Sequence, residues 1–216
     1  MGKTICIGLF AKKEPKLFCF LFIWANAFEE RKEIIFLSSN EDNWIIRDIM
    51  EIRTATIADL AQIAAVEAEC FPAAEAATKE EFEERIKYYG NHFWLMFEGE
   101  KLIAFVDGFV TDKPDLTDEM YERAEMHDEN GAWQMIFGVN TIPAYRKHGY
   151  AGQLLQCAIE DARKQGRKGL VLTCKEKLIA YYAKFGFVNE GLSESVHGNV
   201  IWYQMRYKIL NLRRNT

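Results

Sequence analysis

The sequence predicts an α/β fold, a sandwich in which a mixed central sheet is flanked by helices. Two observations carry that expectation. From residue 50 onward, short apolar, aromatic and β-branched runs alternate with amphipathic stretches, in the order strand, helix, helix, hairpin, long strand, helix, strand, helix, two strands. The 216 residues are 49% hydrophobic and 13% aromatic, which suffices to bury one proper core. No internal repeat or low-complexity segment interrupts this order.

The elements follow from local signals. Residues 51–54 form a short strand. Residues 56–69 form a helix, with Thr56 as N-cap and Leu60, Ile63, Ala64 and Glu67 along one face. Pro72 ends that run, and Thr78-Lys79-Glu80-Glu81 is a capping box that opens a second helix, with Phe82, Ile86 and Tyr89 inward. Strands at 92–97 and 102–110 form a hairpin around Glu98-Gly99-Glu100-Lys101. Residues 112–130 are polar and acidic, with a short helix near 118–126; so long an insertion between strands reads as a substrate-facing loop. A long strand at 133–140 leads into a helix ending near Gln165-Gly166. A buried strand at 170–174, a helix at 177–185 closed by Gly186, and strands at 187–190 and 199–207 complete the order.

Residues 1–49 are an N-terminal extension of different character. A basic stretch at 12–16, an apolar run at 17–24 and Ala25-Asn26-Ala27 outline a secretory leader. Against it stand Glu14 and the apolar residues 5–10 ahead of the basic stretch. Alternatives are a structured appendage, or read-through upstream of a start at Met50. The domain itself is read as residues 50–210, with a tail at 211–216.

Charge and cysteine usage narrow the function. A net charge of −5 and no strongly basic face argue against nucleic-acid binding. Five cysteines, without a C-x-x-C pair, and four scattered histidines offer neither a disulfide framework nor zinc-ligand spacing. A reducing, cytoplasmic setting without a metal or membrane partner is the expectation.

The stretch at 139–155, V-N-T-I-P-A-Y-R-K-H-G-Y-A-G-Q-L-L, is where chemistry concentrates. It runs from a strand end through a basic turn, Arg146, Lys147 and His148, into a helix that begins with Gly149, Tyr150, Ala151 and Gly152. Leu154, Leu155, Ala158, Ile159 and Ala162 line one helix face and charged residues the other. A helix start with small residues and nearby cations is an anion site, and its expected guest is a diphosphate.

This R-K-H-G-Y-A turn after a long strand, followed by A-Y-Y-A-K-F-G-F after the next, resembles the GNAT superfamily of N-acetyltransferases. Its acyl-CoA pattern Q/R-x-x-G-x-G/A is met by Arg146, Gly149 and Ala151. The stretches E-C-F-P-A-A-E-A-A-T, F-E-G-E-K-L-I-A-F-V-D-G and V-L-T-C-K-E-K-L-I-A-Y-Y-A-K-F-G-F are most similar to arylalkylamine N-acetyltransferases and their bacterial relatives. The resemblance implies a GNAT-like sandwich with a splayed central sheet and acetyl-CoA as co-substrate. It assigns the backbone from Lys147 to Gly152 to the pyrophosphate, and Val139, Asn140 and Thr141 to the pantetheine arm and thioester carbonyl. Tyr182 is matched to the tyrosine that protonates the CoA thiolate. Those enzymes carry two histidines on the long strand, where this chain has Met135 and Phe137; neither titrates, so the proton route differs.

An alkylammonium with a pKa of about 10.4 is neutral to only about one part in a thousand or less at pH 7, so a base should help. Glu69, Asp107 and His127 are candidates, with Gln134 placed to orient a water. Cys174 reads as a small core residue and not as a covalent nucleophile. His148 either contacts phosphate or faces solvent. Phe71, Phe93, Trp94, Trp133 and Tyr145 are candidates to line an amine pocket, although such aromatics are usually core. The resulting expectation is acetyl transfer to a primary amine by direct attack in a ternary complex, with a small arylalkylamine or polyamine favoured. The alternatives are acetylation of a protein or peptide amino group and a non-catalytic acyl-CoA-binding module. A homodimer is compatible with the sequence but not required by it.

Overall fold

The computed structural model describes residues 18–23, 32–40 and 43–210. The basic stretch at 12–16, the Ala25-Asn26-Ala27 motif and the tail at 211–216 lie outside the described residues. The apolar run ahead of that motif supplies strand β1 (Phe18–Ile23), paired antiparallel with β2 (Lys32–Asn40). β2 in turn pairs with β3 (Asn43–Thr54), so the short strand expected at 51–54 is the end of a much longer one.

The helices form where the caps place them. Thr56 and Asp59 make a reciprocal capping box over a single 3₁₀ turn, and Arg53 clamps Asp59 at 2.6 and 2.8 Å. Helix α1 (Leu60–Cys70) follows and buries Leu60, Ile63, Val66 and Glu67. Helix α2 (Lys79–Tyr89) opens on the expected Thr78–Glu81 box and buries Phe82, Arg85, Ile86 and Tyr89. Strands β4 (Phe93–Glu98) and β5 (Lys101–Asp107) are the expected hairpin.

Here the structure departs from the sequence reading. The second hairpin strand does not run on to 110; it stops at Asp107 and resumes as β6 (Val110–Thr111). The long strand at 133–140 also breaks, at Phe137, into β7 (Trp133–Ile136) and β8 (Gly138–Thr141). β5 pairs with β8 in one sheet, while β6 pairs with β7 in another. Gly108 permits the double crossing: a Cβ there would lie 1.8 Å from the Met135 carbonyl oxygen. The residue pattern does not reveal this, because the halves on either side of each break stay buried or half-buried.

The splayed, mixed central sheet expected is built as two sheets. One has strand order β1-β2-β3-β4-β5-β8. The other is completed by β9 (Gly169–Cys174), β10 (Val188–Leu192) and β11 (Tyr203–Lys208), in the order β10-β11-β9-β7-β6. β7 and β9 are parallel; the remaining pairs are antiparallel. The final strand starts at Tyr203 and not at Asn199, because residues 197–199 form a tight turn in which Gly198 and Asn199 have positive φ.

The acidic insertion holds helix α3 (Glu119–Glu122) and a 3₁₀ turn. Helix α4 (Tyr150–Lys164) buries Leu154, Leu155, Ala158, Ile159 and Ala162. Helix α5 (Ile179–Ala183) is shorter than the 177–185 segment expected, since its first turn is 3₁₀. Among the described residues no helix is long and apolar enough to cross a membrane.

Candidate active site

Past Ile136 the chain leaves β9 and joins β5, so a gap opens between β8 and the end of β9. A cavity of about 420 Å³ occupies it, with Ile136 to Val139 on one wall and Leu172, Thr173 and Cys174 on the other. β8 is the edge strand of its sheet, paired on one side with β5.

At the far end of β8 lies the basic turn. Arg146 Nε donates to the Thr141 carbonyl at 3.0 Å, which holds the turn against the strand end. Tyr145 OH donates to Glu98. Arg146, Lys147, His148 and Gly149 are exposed, and the His148 ring stacks on Tyr150. Lys147 (φ 68°) and Gly149 (φ 86°) both adopt left-handed backbone, curling the chain into the start of α4. The first intrahelical bond is from Gln153 N–H to the Gly149 carbonyl, so the Ala151 and Gly152 N–H groups lie outside the helix's own ladder. Gly152 also admits the turn that follows α5: a Cβ there would sit 2.8 Å from Phe185 Cζ.

The other end of the cavity is acidic. Six carboxylates line it, from Glu67, Glu75, Glu81, Asp107, Asp118 and Glu122, against one guanidinium, Arg85. Glu67 is 6% exposed; its Oε1 accepts from Ala77 N–H at 3.1 Å and its Oε2 from Asn140 Nδ2 at 3.0 Å. Burial, and then the charge of Asp107, push its carboxyl up to about 7 against the pull of those donors and Arg85. Asp107 is raised to about 6, again chiefly by burial, although Arg85 approaches it at 3.3 Å. Arg85 also donates to the Tyr121 carbonyl at 2.9 Å.

Tyr182, 6% exposed, faces the same cavity beside Cys174, and burial raises its phenol well above the usual range. Cys174 is buried with its Sγ 3.5 Å from Met205 Sδ, as a core residue should be. Three loops close the mouth and are tied together. Asp118 accepts from Ser195 Oγ and from Val196 N–H. His197 Nε2 donates to the Glu75 carbonyl at 3.1 Å, while Lys175 Nζ grips both Glu75 carboxylate oxygens at 2.8 Å. Tyr121 stacks on His197, with ring centroids 5.2 Å apart.

The residues singled out from sequence are thus divided. Val139 and Tyr182 line the cavity, whereas Asn140 points its side chain inward to Glu67. Of the candidate bases, Asp107 is in the cavity and Glu69 is exposed on the outer side of α1. Glu67, two residues before it, is the carboxylate that lines the cavity. Its place on the apolar face of its helix is the sequence signal for it. Of the candidate aromatics, Phe71 lines the cavity; Phe93 and Trp94 are core. Tyr121, Phe137, His197 and Trp202 supply the remaining aromatic wall.

His127 and Gln134 belong to a second cluster, which brings together histidines that are far apart in sequence. His92 Nδ1 donates to Gln134 Oε1 at 2.8 Å; that amide is fixed because its Nε2 donates to the Phe109 and Met135 carbonyls. His92 Nε2 faces Glu129 Oε2 at 3.0 Å, and His127 Nε2 faces the same oxygen at 3.4 Å. His127 Nδ1 accepts from Val110 N–H, so the proton of that ring lies on the nitrogen facing Glu129. Arg167 completes the cluster at 2.7 Å from Glu129. Burial would raise Glu129, but His92, Asn91 and Arg167 outweigh it and hold the carboxyl at about 2.

Residues 60–187 match the family model described as Acetyltransferase (GNAT) family. No curated protein matches the sequence. Among solved structures, the chain is similar to the loading GNATL domain of CurA from Lyngbya majuscula (TM-score 0.64, 16% identity, covering 74% of this chain and 97% of that one). It is also similar to the GphF GNAT-like decarboxylase in complex with isobutyryl-CoA (TM-score 0.63, 21% identity, 73% and 98%). A third is the PaiA N-acetyltransferase from Thermoplasma acidophilum in complex with coenzyme A (TM-score 0.56, 19% identity, 74% and 99%).

Proposed function

The chain belongs to the acetyltransferase (GNAT) family, and from that premise we propose that it moves an acetyl group from acetyl-CoA to a small primary amine by direct attack in a ternary complex. The observation that carries this reading is a buried carboxylate, Glu67, poised near neutrality in an acidic, aromatic-walled cavity at the strand break.

Acetyl-CoA would lie along the free edge of β8 at Val139 to Thr141, with its diphosphate against the backbone of Lys147 to Gly152. Glu67 takes the ammonium proton, directly or through a water, and a base titrating near 7 suits that task at physiological pH. The neutral amine attacks the thioester carbonyl, the C–S bond breaks, and Tyr182 hydrogen-bonds and protonates the departing sulfur; the second proton of the attacking nitrogen then returns to the phenolate, leaving the amide, the free thiol and a neutral Tyr182. Burial raises the phenol, which keeps Tyr182 protonated and so able to donate to the departing sulfur. Six carboxylates against one guanidinium favour a cationic acceptor, arylalkylamine or polyamine in type.

A decarboxylase reading, which the GphF likeness brings in, requires a carboxylate guest, and the same charge balance opposes it. Thiol release from acetyl-CoA across a panel of amines, peptides and no acceptor tests the proposal. Release that needs a small amine and falls at least tenfold in Tyr182→Phe supports it. Tight acetyl-CoA binding without release for any acceptor would instead favour a non-catalytic acyl-CoA-binding module, and release confined to peptides would move the acceptor to protein amino groups.

A further inference from the structure

We propose that the Asn140 side-chain amide turns over by about 180° when Glu67 takes up a proton, donating to the carboxylate in one state and accepting from the carboxylic acid in the other. Asn140 is then the positioning residue that keeps Glu67 aimed in both states. Its use in catalysis rests on the reading of Glu67 as proton acceptor; the movement of the amide does not.

The geometry forces the choice. Glu67 Oε1 accepts from a backbone donor, Ala77 N–H, which cannot reverse, so an incoming proton belongs on Oε2. Oε2 faces Asn140 Nδ2 at 3.0 Å. Once protonated, Oε2–H and Nδ2–H would be two donors facing each other. Asn140 is 0% exposed and its Oδ1 is buried with no hydrogen-bond partner, an acceptor held in reserve on the same amide. Reversing the amide brings Oδ1 to the new O–H. No other group facing Glu67 is as well suited to respond. Arg85 on α2 is engaged by Asp107 and the Tyr121 carbonyl. Asp107 on β5 is held by Arg85, Glu81 caps α2, Glu75 is held by Lys175, and Cys70 is raised by burial so that its thiol stays protonated. Gly138 leaves the room required: a Cβ there would lie 3.1 Å from Asn140 Nδ2 and 2.5 Å from Asp107 Oδ1.

In the forward step one proton passes from the substrate ammonium to Glu67 Oε2, and the N–H···O bond from Asn140 becomes an O–H···O bond to it. No covalent bond of Asn140 changes.

The experiment is an NMR titration of the full-length, ¹⁵N,¹³C-labelled chain without CoA from pH 5 to 9, following Glu67 Cδ and the Asn140 side-chain amide. The Asn140 signals should move with the same midpoint as Glu67 Cδ. In Glu67→Gln, which presents an N–H where the protonated carboxyl presents an O–H, they should stay at their low-pH positions throughout. Asn140→Leu, which removes both functions, should raise the Glu67 midpoint by on the order of one pH unit, because the bond to the charged form is the stronger one lost. Asn140→Thr, whose hydroxyl both donates and accepts, should shift it less than half as far. Asn140 signals that ignore the Glu67 midpoint, or that sit at their high-pH positions in Glu67→Gln, overturn the proposal. If the leucine variant does not fold, the wild-type and Glu67→Gln titrations still decide it. Coupled titration without acetyl transfer would sink only the proposed function, and transfer without coupled titration would sink only this proposal.

Discussion

Between the turn at residues 142–149 and the cavity below it, the molecule changes how it builds a binding surface. The stretch proposed to hold the acyl donor is continuous, β8, turn and α4, and it offers mostly main chain: a free strand edge, left-handed backbone at Lys147 and Gly149, and helix N–H groups. The acceptor side draws Glu67, Arg85, Asp107, Tyr121, Tyr182 and His197 from six separate segments and offers side chains whose charge depends on burial. A diphosphate can be held by fixed dipoles, which do not titrate. Moving a proton requires groups that do.

Substitutions on the two sides should therefore fail in different ways. The largest effect is expected for Glu67→Gln, which should lower turnover at pH 7 by about 10²–10³-fold and remove an acid limb of kcat/KM centred near pH 7, with acetyl-CoA affinity unchanged. A pH profile that keeps that limb would exclude Glu67 as the base. The same variant should alter stability. A carboxyl raised from 4.5 to about 7 on folding contributes fully below its unfolded value, and that contribution is lost as pH rises through 7. The loss amounts to about 3 kcal/mol, so Glu67→Gln should flatten the fall of Tm between pH 5 and 8 in calorimetry.

Tyr182→Phe should reduce thiol release at least tenfold without moving the acid limb, because it acts on the departing sulfur. On the donor side, Gly152→Val drives a side chain into Phe185, and should weaken CoA binding by on the order of tenfold in titration calorimetry while leaving the pH profile in place. Smallest of all, Glu129→Gln should cost about 1 kcal/mol at pH 7, since its carboxylate is half exposed. The contribution of the ionised form is present above about 4.5 and disappears as pH falls toward 2, so wild type and variant should converge in acid.

The two sides also differ in how far they can be read from residues alone. The turn was legible because its determinants are adjacent, from Arg146 to Gly152. The capping box at Thr78 and the buried face of α4 were legible for the same reason. The breaks at Gly108 and Phe137 were not, because the pairing partners that draw each half into a different sheet lie far away in sequence. Glu67 is the intermediate case: the sequence puts it on the inward face of its helix but does not set it apart from Glu69 as a base. What sets Glu67 apart is its setting in the closed fold, buried beside Asp107 and bonded to Asn140, 73 residues on. His92 and Glu129, 37 residues apart, meet by the same kind of long-range closure.

The ties across the cavity mouth have a consequence for changing what it accepts. Asp118 is bonded to the 193–202 loop, and that loop reaches the 71–78 loop through His197 and Glu75. A segment grafted into one position would arrive without its tethers, leaving the Asp118 carboxylate or the Glu75 carbonyl stranded. Acceptor preference in this scaffold should therefore transplant as a three-part cassette, with residues 71–78, 112–126 and 193–202 exchanged together, while the turn and α4 stay untouched as a common chassis.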